Sequence, residues 1–263
     1  MSRYLGQHFL IAKRKIGKIV ESLELKDKDV IIEIGPGKSA LTIPLCENCR
    51  KLGCKIIAVE KDKLLANNLK EKFKNDKNVE IIEGDVLKIL SKTIIQFNNL
   101  STGNYKIVGN IPYYITGYLL RTFGELEIKP SLIILTIQKE VAERIIVKPP
   151  KMNLLAASVQ FWAEPKIIGY VSRKDFSPPP KVDSAIIELK IKNYELRIKD
   201  NYYRIIKILF KQPRKTILNN LLSGIGDKNK EEIVEKLKKA GIDPRARPQN
   251  LSIEQIIELS TLF

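Results

Sequence analysis

Apolar positions along this chain recur with two different periods, and the change from one to the other divides it. Near the N-terminus, Ile16, Ile19, Val20 and Leu23 fall at helical spacing, which predicts a short amphipathic helix after the loop Leu5-Gly6-Gln7-His8-Phe9-Leu10. Val30–Ile34 is then an apolar run broken only by Glu33, and it stops at Gly35-Pro36-Gly37. Such a run predicts a buried parallel strand with a tight turn into a helix over Ser39–Leu52. The same alternation continues through strand Lys55–Val59, helix Leu64–Phe73 and strand Val79–Ile82. It resumes as strand Lys106–Gly109, a helix containing Tyr118–Phe123, strand Ser131–Ile137 and helix Lys139–Ile145. Strands and helices alternating at this spacing predict an α/β fold built on a doubly wound parallel sheet.

Three further segments, Ala157–Trp162, Ile167–Val171 and Ala185–Lys190, are predicted to be extended and to close the sheet. The last two are joined by a proline-stiffened loop, Phe176–Lys181, too short for a crossover helix, which suits an antiparallel pair. After Lys192 the strand signals vanish, and helical periodicity takes over in Tyr203–Phe210, Glu231–Ala240 and Ile253–Leu259. Gly241 is a stop signal for the second of these, and Ser252 with Gln255 forms a capping box for the third. A domain boundary is therefore expected near residue 190, separating residues 1–190 from 191–263.

At 263 residues the chain can bury a full core. It has no stretch of about 18 uninterrupted apolar residues and no long apolar core at its N-terminus, so a cytoplasmic protein is expected, with no membrane as partner. Cys46, Cys49 and Cys54 lack the fourth ligand of a zinc site, since the only histidine is His8, and they read as reduced thiols on or near a helix; no metal is expected. A net charge of +16 makes a polyanion the leading partner, nucleic acid before an anionic membrane. Lysine-rich composition can also be no more than a solvated-surface bias, but the distribution is pointed. No acidic residue occurs from Asn201 to Gly226, whereas Arg204, Lys207, Lys211, Arg214 and Lys215 recur at helix-like spacing with Tyr202, Tyr203 and Phe210 interleaved. That pattern predicts a one-sided basic helix facing phosphates.

Candidate chemistry lies at the ends of the predicted strands. Gly35 and Gly37 put backbone amides near a helix N-terminus, Glu60 stands where a ribose diol would be held, and Asp85 could accept the exocyclic amine of an adenine. Each carboxylate alone could be a solvated strand end, and the first two features would serve a dinucleotide-binding oxidoreductase equally well. Asn110 ends the next strand and opens Asn110-Ile111-Pro112-Tyr113, an amide, a proline and an aromatic ring that can hold a planar nitrogen heterocycle by its amine. The oxidoreductase reading leaves that tetrapeptide and the basic tail unexplained. Tyr113 and Phe176 could also be core residues; Tyr114 and Trp162 are read as structural.

Over essentially its whole length the chain resembles the ribosomal RNA adenine dimethyltransferases that modify two neighbouring adenosines near the 3′ end of small-subunit RNA. The matching segments are Gly6-Gln7-His8-Phe9-Leu10, Glu33-Ile34-Gly35-Pro36-Gly37 with Leu41-Thr42, Glu60, Gly84-Asp85, Gly109 to Tyr113, Gln138-Lys139-Glu140-Val141, and Phe176 to Ser184. The resemblance implies a Rossmann-like class I S-adenosylmethionine-dependent methyltransferase sheet followed by a small all-helical RNA-recognition domain. It implies that His8 and Leu10 close over the methionine end of S-adenosylmethionine, with Gly35 against it, Glu60 on the ribose and Asp85 on the adenine. Asn110 then faces the methyl, Ile111 and Pro112 supply and aim a carbonyl, and Tyr113 and Phe176 stack on a flipped base. S-adenosylhomocysteine would be the product, and the partner a precursor small-subunit particle met by a monomer.

Two departures from the family pattern stand out. His8 replaces a common asparagine, which points to the archaeal and eukaryotic branch, and Pro213 replaces a common second arginine. Methylation of another nucleic acid, or a non-catalytic assembly role, remains open on these residues.

Overall fold

The computed structural model describes residues 7–96, 105–192, 196–226 and 229–263; Leu5 and Gly6 of the predicted N-terminal loop lie outside the described residues. The chain forms two compact units, one comprising residues up to Ala142 together with Glu164–Ile191, the other Glu143–Ala163 together with Lys192–Phe263. A single cut near residue 190 therefore differs from the observed partition, because Glu143–Ala163 groups with the C-terminal helices.

In the first unit the strands are β1 (Phe9–Leu10), β2 (Val30–Ile34), β3 (Lys55–Glu60), β4 (Val79–Glu83), β5 (Tyr105–Asn110), β6 (Leu132–Gln138), β7 (Ala163–Val171), β8 (Phe176–Ser177) and β9 (Ser184–Ile191). Seven of them form one sheet in the order β4-β3-β2-β5-β6-β9-β7. Its first five strands run parallel, and β9 pairs antiparallel with β6, Gln138 opposite Ser184. All five residues of β2 are buried, as a parallel strand covered on both faces requires. Strand order reverses beside β2, so the carboxyl ends of β2 and β5 flank the crevice where open α/β sheets bind ligands.

The helices of this unit are α1 (Lys13–Glu21), α2 (Thr42–Leu52), α3 (Lys63–Lys72), α4 (Val86–Gln96), α5 (Thr116–Glu125) and, at its edge, α6 (Lys139–Ile145). Helix α2 starts three residues later than predicted because Ser39 has φ +66°, a left-handed conformation that an α-helix cannot contain. Helix α4 was not predicted, although Val86, Leu90, Thr93 and Ile94 are buried at helical spacing. Cys46, Cys49 and Cys54 are free thiols buried in the core.

In the second unit the helices are α7 (Leu154–Gln160), α8 (Lys199–Leu209), α9 (Ile217–Gly224), α10 (Lys230–Lys239) and α11 (Ile253–Leu262). Helix α7 overturns the extended conformation expected for Ala157–Trp162. The Asn153 side chain caps it by accepting from the Ala156 amide, and Ala156, Ala157, Val159 and Gln160 pack inward. Helix α9 was also unpredicted and is capped by Thr216, whereas the Ser252/Gln255 capping box starts α11 as expected. No described helix is long and apolar enough to cross a membrane.

Two buried titratable groups test this packing. Lys106 Nζ lies 2.7 Å from Asp29 Oδ2 and donates to the Glu24 carbonyl at 2.8 Å, joining β5 to the segment before β2. Asp29→Ala leaves that ammonium unpaired, so urea denaturation should show a loss of about 3–5 kcal/mol. Glu33, inside β2, is 1% exposed; burial raises its carboxyl to about 8, opposed by nearby Thr42 and reinforced by the Glu60 carboxylate. The folded protein thus holds a proton that the unfolded chain releases near 4.5, and stability falls as pH rises from there to about 8. Glu33→Gln should remove this dependence, its melting temperature gaining on the wild type through that window and by a constant margin above it.

Candidate active site

A cleft opens at the carboxyl ends of β2, β3 and β5. One lobe is lined by His8, Leu10, Glu33, Gly35, Gly37, Glu60, Asn110 to Tyr113 and Phe176. The adjoining lobe is lined by Val59, Glu60, Lys61, Asp85, Pro112 and Tyr114, and the two share Gln7, Gly35, Glu60 and Pro112. All the first-unit residues singled out in the sequence therefore meet in one place, although they span positions 8 to 176 of the chain.

Glu60 ends β3 with both carboxylate oxygens engaged: Oε2 accepts from the Gly37 amide at 3.0 Å and Oε1 from the Asp62 amide at 2.9 Å. Burial pushes its pKa up, while these backbone donors pull it down. Each oxygen keeps a second lone pair, enough to accept from a ribose hydroxyl. The Gly37 amide was expected to face a ligand and instead orients Glu60. At Gly37 a side chain is also forbidden by space, because a Cβ would come within 2.9 Å of the Phe9 ring.

Asp85 follows β4, where its Oδ2 pairs with Lys61 Nζ at 2.9 Å and its Oδ1 accepts from the Leu87 amide at 3.1 Å. The hydrogen bond from Lys61 holds the carboxyl below the usual carboxylate range, so it stays an acceptor. Glu33 contributes a different kind of acid, since its Oε2 has no hydrogen-bond partner among the described residues. Neither Glu33 nor Lys61 was singled out as a site residue. A charge inside a buried apolar strand was the available signal for the first.

Asn110 ends β5, and its Nδ2 donates to the His8 carbonyl at 2.9 Å. A carbonyl can only accept, so the amide nitrogen must face it, and Oδ1 is left as the acceptor on the other side. The His8 ring Nδ1 donates to the Pro178 carbonyl at 2.8 Å. Phe9 and Leu10, expected in a loop, pair as β1 with Ser177 and Phe176 of β8. Pro112 precedes a single helical turn, its carbonyl accepting from the Ile115 amide at 3.2 Å.

The Tyr113 hydroxyl and Ser184 Oγ lie 2.7 Å apart, and the His8 ring sits 6.1 Å from the Tyr113 ring at 30°. That is within stacking range and braces Tyr113. Phe176 borders the cleft but is 3% exposed and shares the core with Leu10 and Val171. Tyr114, expected to be structural, is 56% exposed at the mouth of the second lobe. Trp162 is buried, as expected.

The basic segment of the second unit, considered by itself, differs from a one-sided helix. Helix α8 ends at Leu209, and Lys211, Arg214 and Lys215 lie in the turn that follows, where Pro213 cannot donate a helical hydrogen bond. These three residues and Lys207 are exposed. Arg204 is held by Asn201 Oδ1 at 2.7 Å and the Phe263 carbonyl at 3.2 Å. Of the interleaved aromatics, Tyr202 belongs to the core: it is fully buried, stacks on Phe161 at 4.1 Å and donates to the Ala157 carbonyl, while Tyr203 and Phe210 are half-buried.

Comparison with known proteins agrees with this geometry. The chain is 39% identical over 254 residues to the ribosomal RNA small subunit methyltransferase A of Dehalococcoides mccartyi strain CBDB1, covering 95% of this chain and 84% of that protein. It is 39% identical to the protein of the same name from Mycoplasma capricolum, at 99% and 97% coverage, and 36% identical to that of Clostridioides difficile, at 100% and 90%. These three relatives are bacterial, whereas His8 had suggested the archaeal and eukaryotic branch. Among solved structures, the dimethyladenosine transferase of Plasmodium falciparum superposes with a TM-score of 0.81 at 23% identity, covering 96% of both chains. The 23S rRNA methyltransferase ErmE superposes with a TM-score of 0.73 at 25% identity, covering 97% of this chain and 98% of that one. The ribosomal RNA adenine dimethylase family model matches residues 1–263, and the chain belongs to that family of methyltransferases.

Proposed function

We propose that this enzyme dimethylates N6 of two adjacent adenosines near the 3′ end of small-subunit ribosomal RNA. It would act as a cytoplasmic monomer on a precursor small-subunit particle. The observation that carries the reading is the Asn110 carboxamide, whose nitrogen is committed to the His8 carbonyl so that its oxygen is the group offered to an incoming amine. The names of the bacterial relatives supply the small-subunit target.

The cleft fits S-adenosylmethionine. Glu33 is a buried acid with an unpartnered oxygen that suits a cation, Glu60 retains lone pairs for the ribose, and Asp85 is an ionised acceptor for the adenine amine. Gly35, His8 and Leu10 border the same cavity. Bound there, the cofactor supplies an electrophilic sulfonium methyl group.

The protein's own contribution is alignment. An adenine amine is a poor nucleophile because its lone pair is delocalised into the ring, and the base must first leave its stack. Asn110 Oδ1 accepts one N6 hydrogen and the Ile111 carbonyl the other, which draws the lone pair out of conjugation and aims it. Pro112 biases Ile111 towards an extended backbone and so fixes that carbonyl. Tyr113 stacks on one face of the base and Phe176 closes the other. After transfer the amine is acidic and gives its proton to water, so no general base is required. Lys207, Lys211, Arg214 and Lys215 contact RNA phosphates.

A second reading, methylation of large-subunit RNA, is favoured by the likeness to ErmE. Incubation with labelled S-adenosylmethionine and each ribosomal subunit in turn, followed by mapping of N6-dimethyladenosine, separates the two; label confined to the large subunit would replace the first reading.

Asn110→Ala should lower kcat by about 100-fold or more, the usual effect of removing one preorganised polar group, while RNA affinity measured by filter binding is retained. Arg214→Ala combined with Lys215→Ala should instead weaken RNA binding and reduce the slope of log affinity against log salt by roughly 2, with cofactor affinity unchanged.

A further inference from the structure

We infer that Tyr114, Gly117 and Tyr118 form a stacking shelf beside the cleft that receives the unpaired nucleotide next to the target adenosine in the same RNA strand. The inference rests on the reading of the cleft as the target-base site. Tyr113–Ile115 is a single 3-10 turn that runs directly into α5, so positions 114 and 118 fall on one side of a continuous helical stretch. The opposite side holds the buried residues Leu119, Leu120 and Phe123. Tyr114 is 56% exposed and Tyr118 is 68% exposed, so neither ring is needed by the core.

Single exposed aromatics are ordinary on protein surfaces, but three features distinguish this pair. Tyr114 lines the second lobe together with Pro112, Lys61 and Asp85, and it follows Tyr113 of the base pocket directly in the chain, so the shelf begins one residue from that pocket. Between the two tyrosines in the chain stands Gly117, where a Cβ would meet nothing within 4 Å. Neither packing nor backbone conformation asks for glycine there, and glycine inside a helix is unfavourable relative to alanine. Its absent side chain leaves the helix surface beside the two tyrosines open to a flat group.

The third feature is charge. Lys61, half-exposed and paired with Asp85 at 2.9 Å, sits at the Tyr114 end and the chain as a whole carries +16, which suits a polyanion. A nucleotide meets all three conditions, offering a flat face to tyrosine and a phosphate to lysine. The neighbour of the target must also lie close by. When one of two adjacent adenosines occupies the cleft, the other is outside it and one nucleotide away, and a shelf that accepts any base serves both rounds.

The test compares an RNA hairpin carrying two adjacent unpaired adenosines with two versions in which one or the other adenosine is abasic. For the wild-type protein with cofactor bound, one of the abasic hairpins should bind about tenfold more weakly than the intact one. Tyr114→Ala combined with Tyr118→Ala should bind the intact hairpin about tenfold more weakly and show no further loss on that abasic hairpin. Gly117→Leu, which keeps both rings and fills the space beside them, should give the same pattern without a lower melting temperature. Wild-type affinity for the intact hairpin in the double variant, or an equal loss on intact and abasic RNA, would overturn the shelf and leave the rings as a protein-docking face. Methyl transfer is read separately: the expected binding pattern with no methylation of any adenosine sinks the proposed function and leaves the shelf standing.

Discussion

The hydrogen bond from Asn110 Nδ2 to the His8 carbonyl is the contact on which the site depends, because it ties the N-terminal stretch to the end of β5, a junction that the His8 and Tyr113 rings reinforce. His8 is fixed in turn by its ring bond to Pro178, and the next two residues by pairing with Phe176 and Ser177. The Ile11 amide donates to the Asp175 carbonyl at 2.9 Å and prolongs the attachment. Each such hydrogen bond nets only about 0.5–1.5 kcal/mol, while ordering one residue's backbone costs about 1–2 kcal/mol. Hydrogen bonds alone would therefore not hold the strap. Burial of Leu10 and Phe176, roughly 1.5–3 kcal/mol each, tips the balance and places an apolar contact at the wall of the first lobe.

Beneath that strap the site runs against the interests of stability. Glu33 and Glu60 are acids 1% and 4% exposed at the ends of neighbouring strands, and burial raises the pKa of both. Glu60 recovers part of the cost from two backbone amides; Glu33 leaves an oxygen unsatisfied. Buried acids, one of them only partly satisfied, at the crevice of an otherwise apolar sheet are what a polar ligand would relieve. The fold thus stores a cost at the position where binding can offset it.

How much of this the sequence disclosed depended on the range of the interaction. Strands β2, β3, β5, β6 and β9 were legible within a residue or two because an apolar β-branched run states its own burial. Local signals also revealed the Ser252 capping box. The misreadings share a cause: Ala157–Trp162 and the tyrosines at 202 and 203 take their roles from each other, through Phe161, about 40 positions apart in the chain. No window of ten residues contains that information. Asn110, Glu60 and Asp85 were legible because strand ends in an alternating sheet must converge. The partner of Asn110, and hence which of its atoms faces the cleft, was not, since it is a main-chain carbonyl whose identity no side chain announces.

These contacts also explain why recognition cannot reside in the base pocket alone. Extruding an adenine costs a few kcal/mol, and the proposed stacking on Tyr113 would return about 1–3 kcal/mol. Two hydrogen bonds to N6 add about 0.5–1.5 kcal/mol each, so the flipped state of an arbitrary adenine in a duplex would be close to balanced. Such a pocket discriminates by chemistry between adenine and bases without an amine, and by energy between paired and unpaired adenines. Selection among unpaired adenines has to come from what surrounds them. In the proposed function, the exposed cations of Lys207, Lys211, Arg214 and Lys215 would respond to phosphate position and not to base identity, and so would read the shape of the RNA. In the proposed function this split would place chemistry on strand ends and target choice on a turn and a surface.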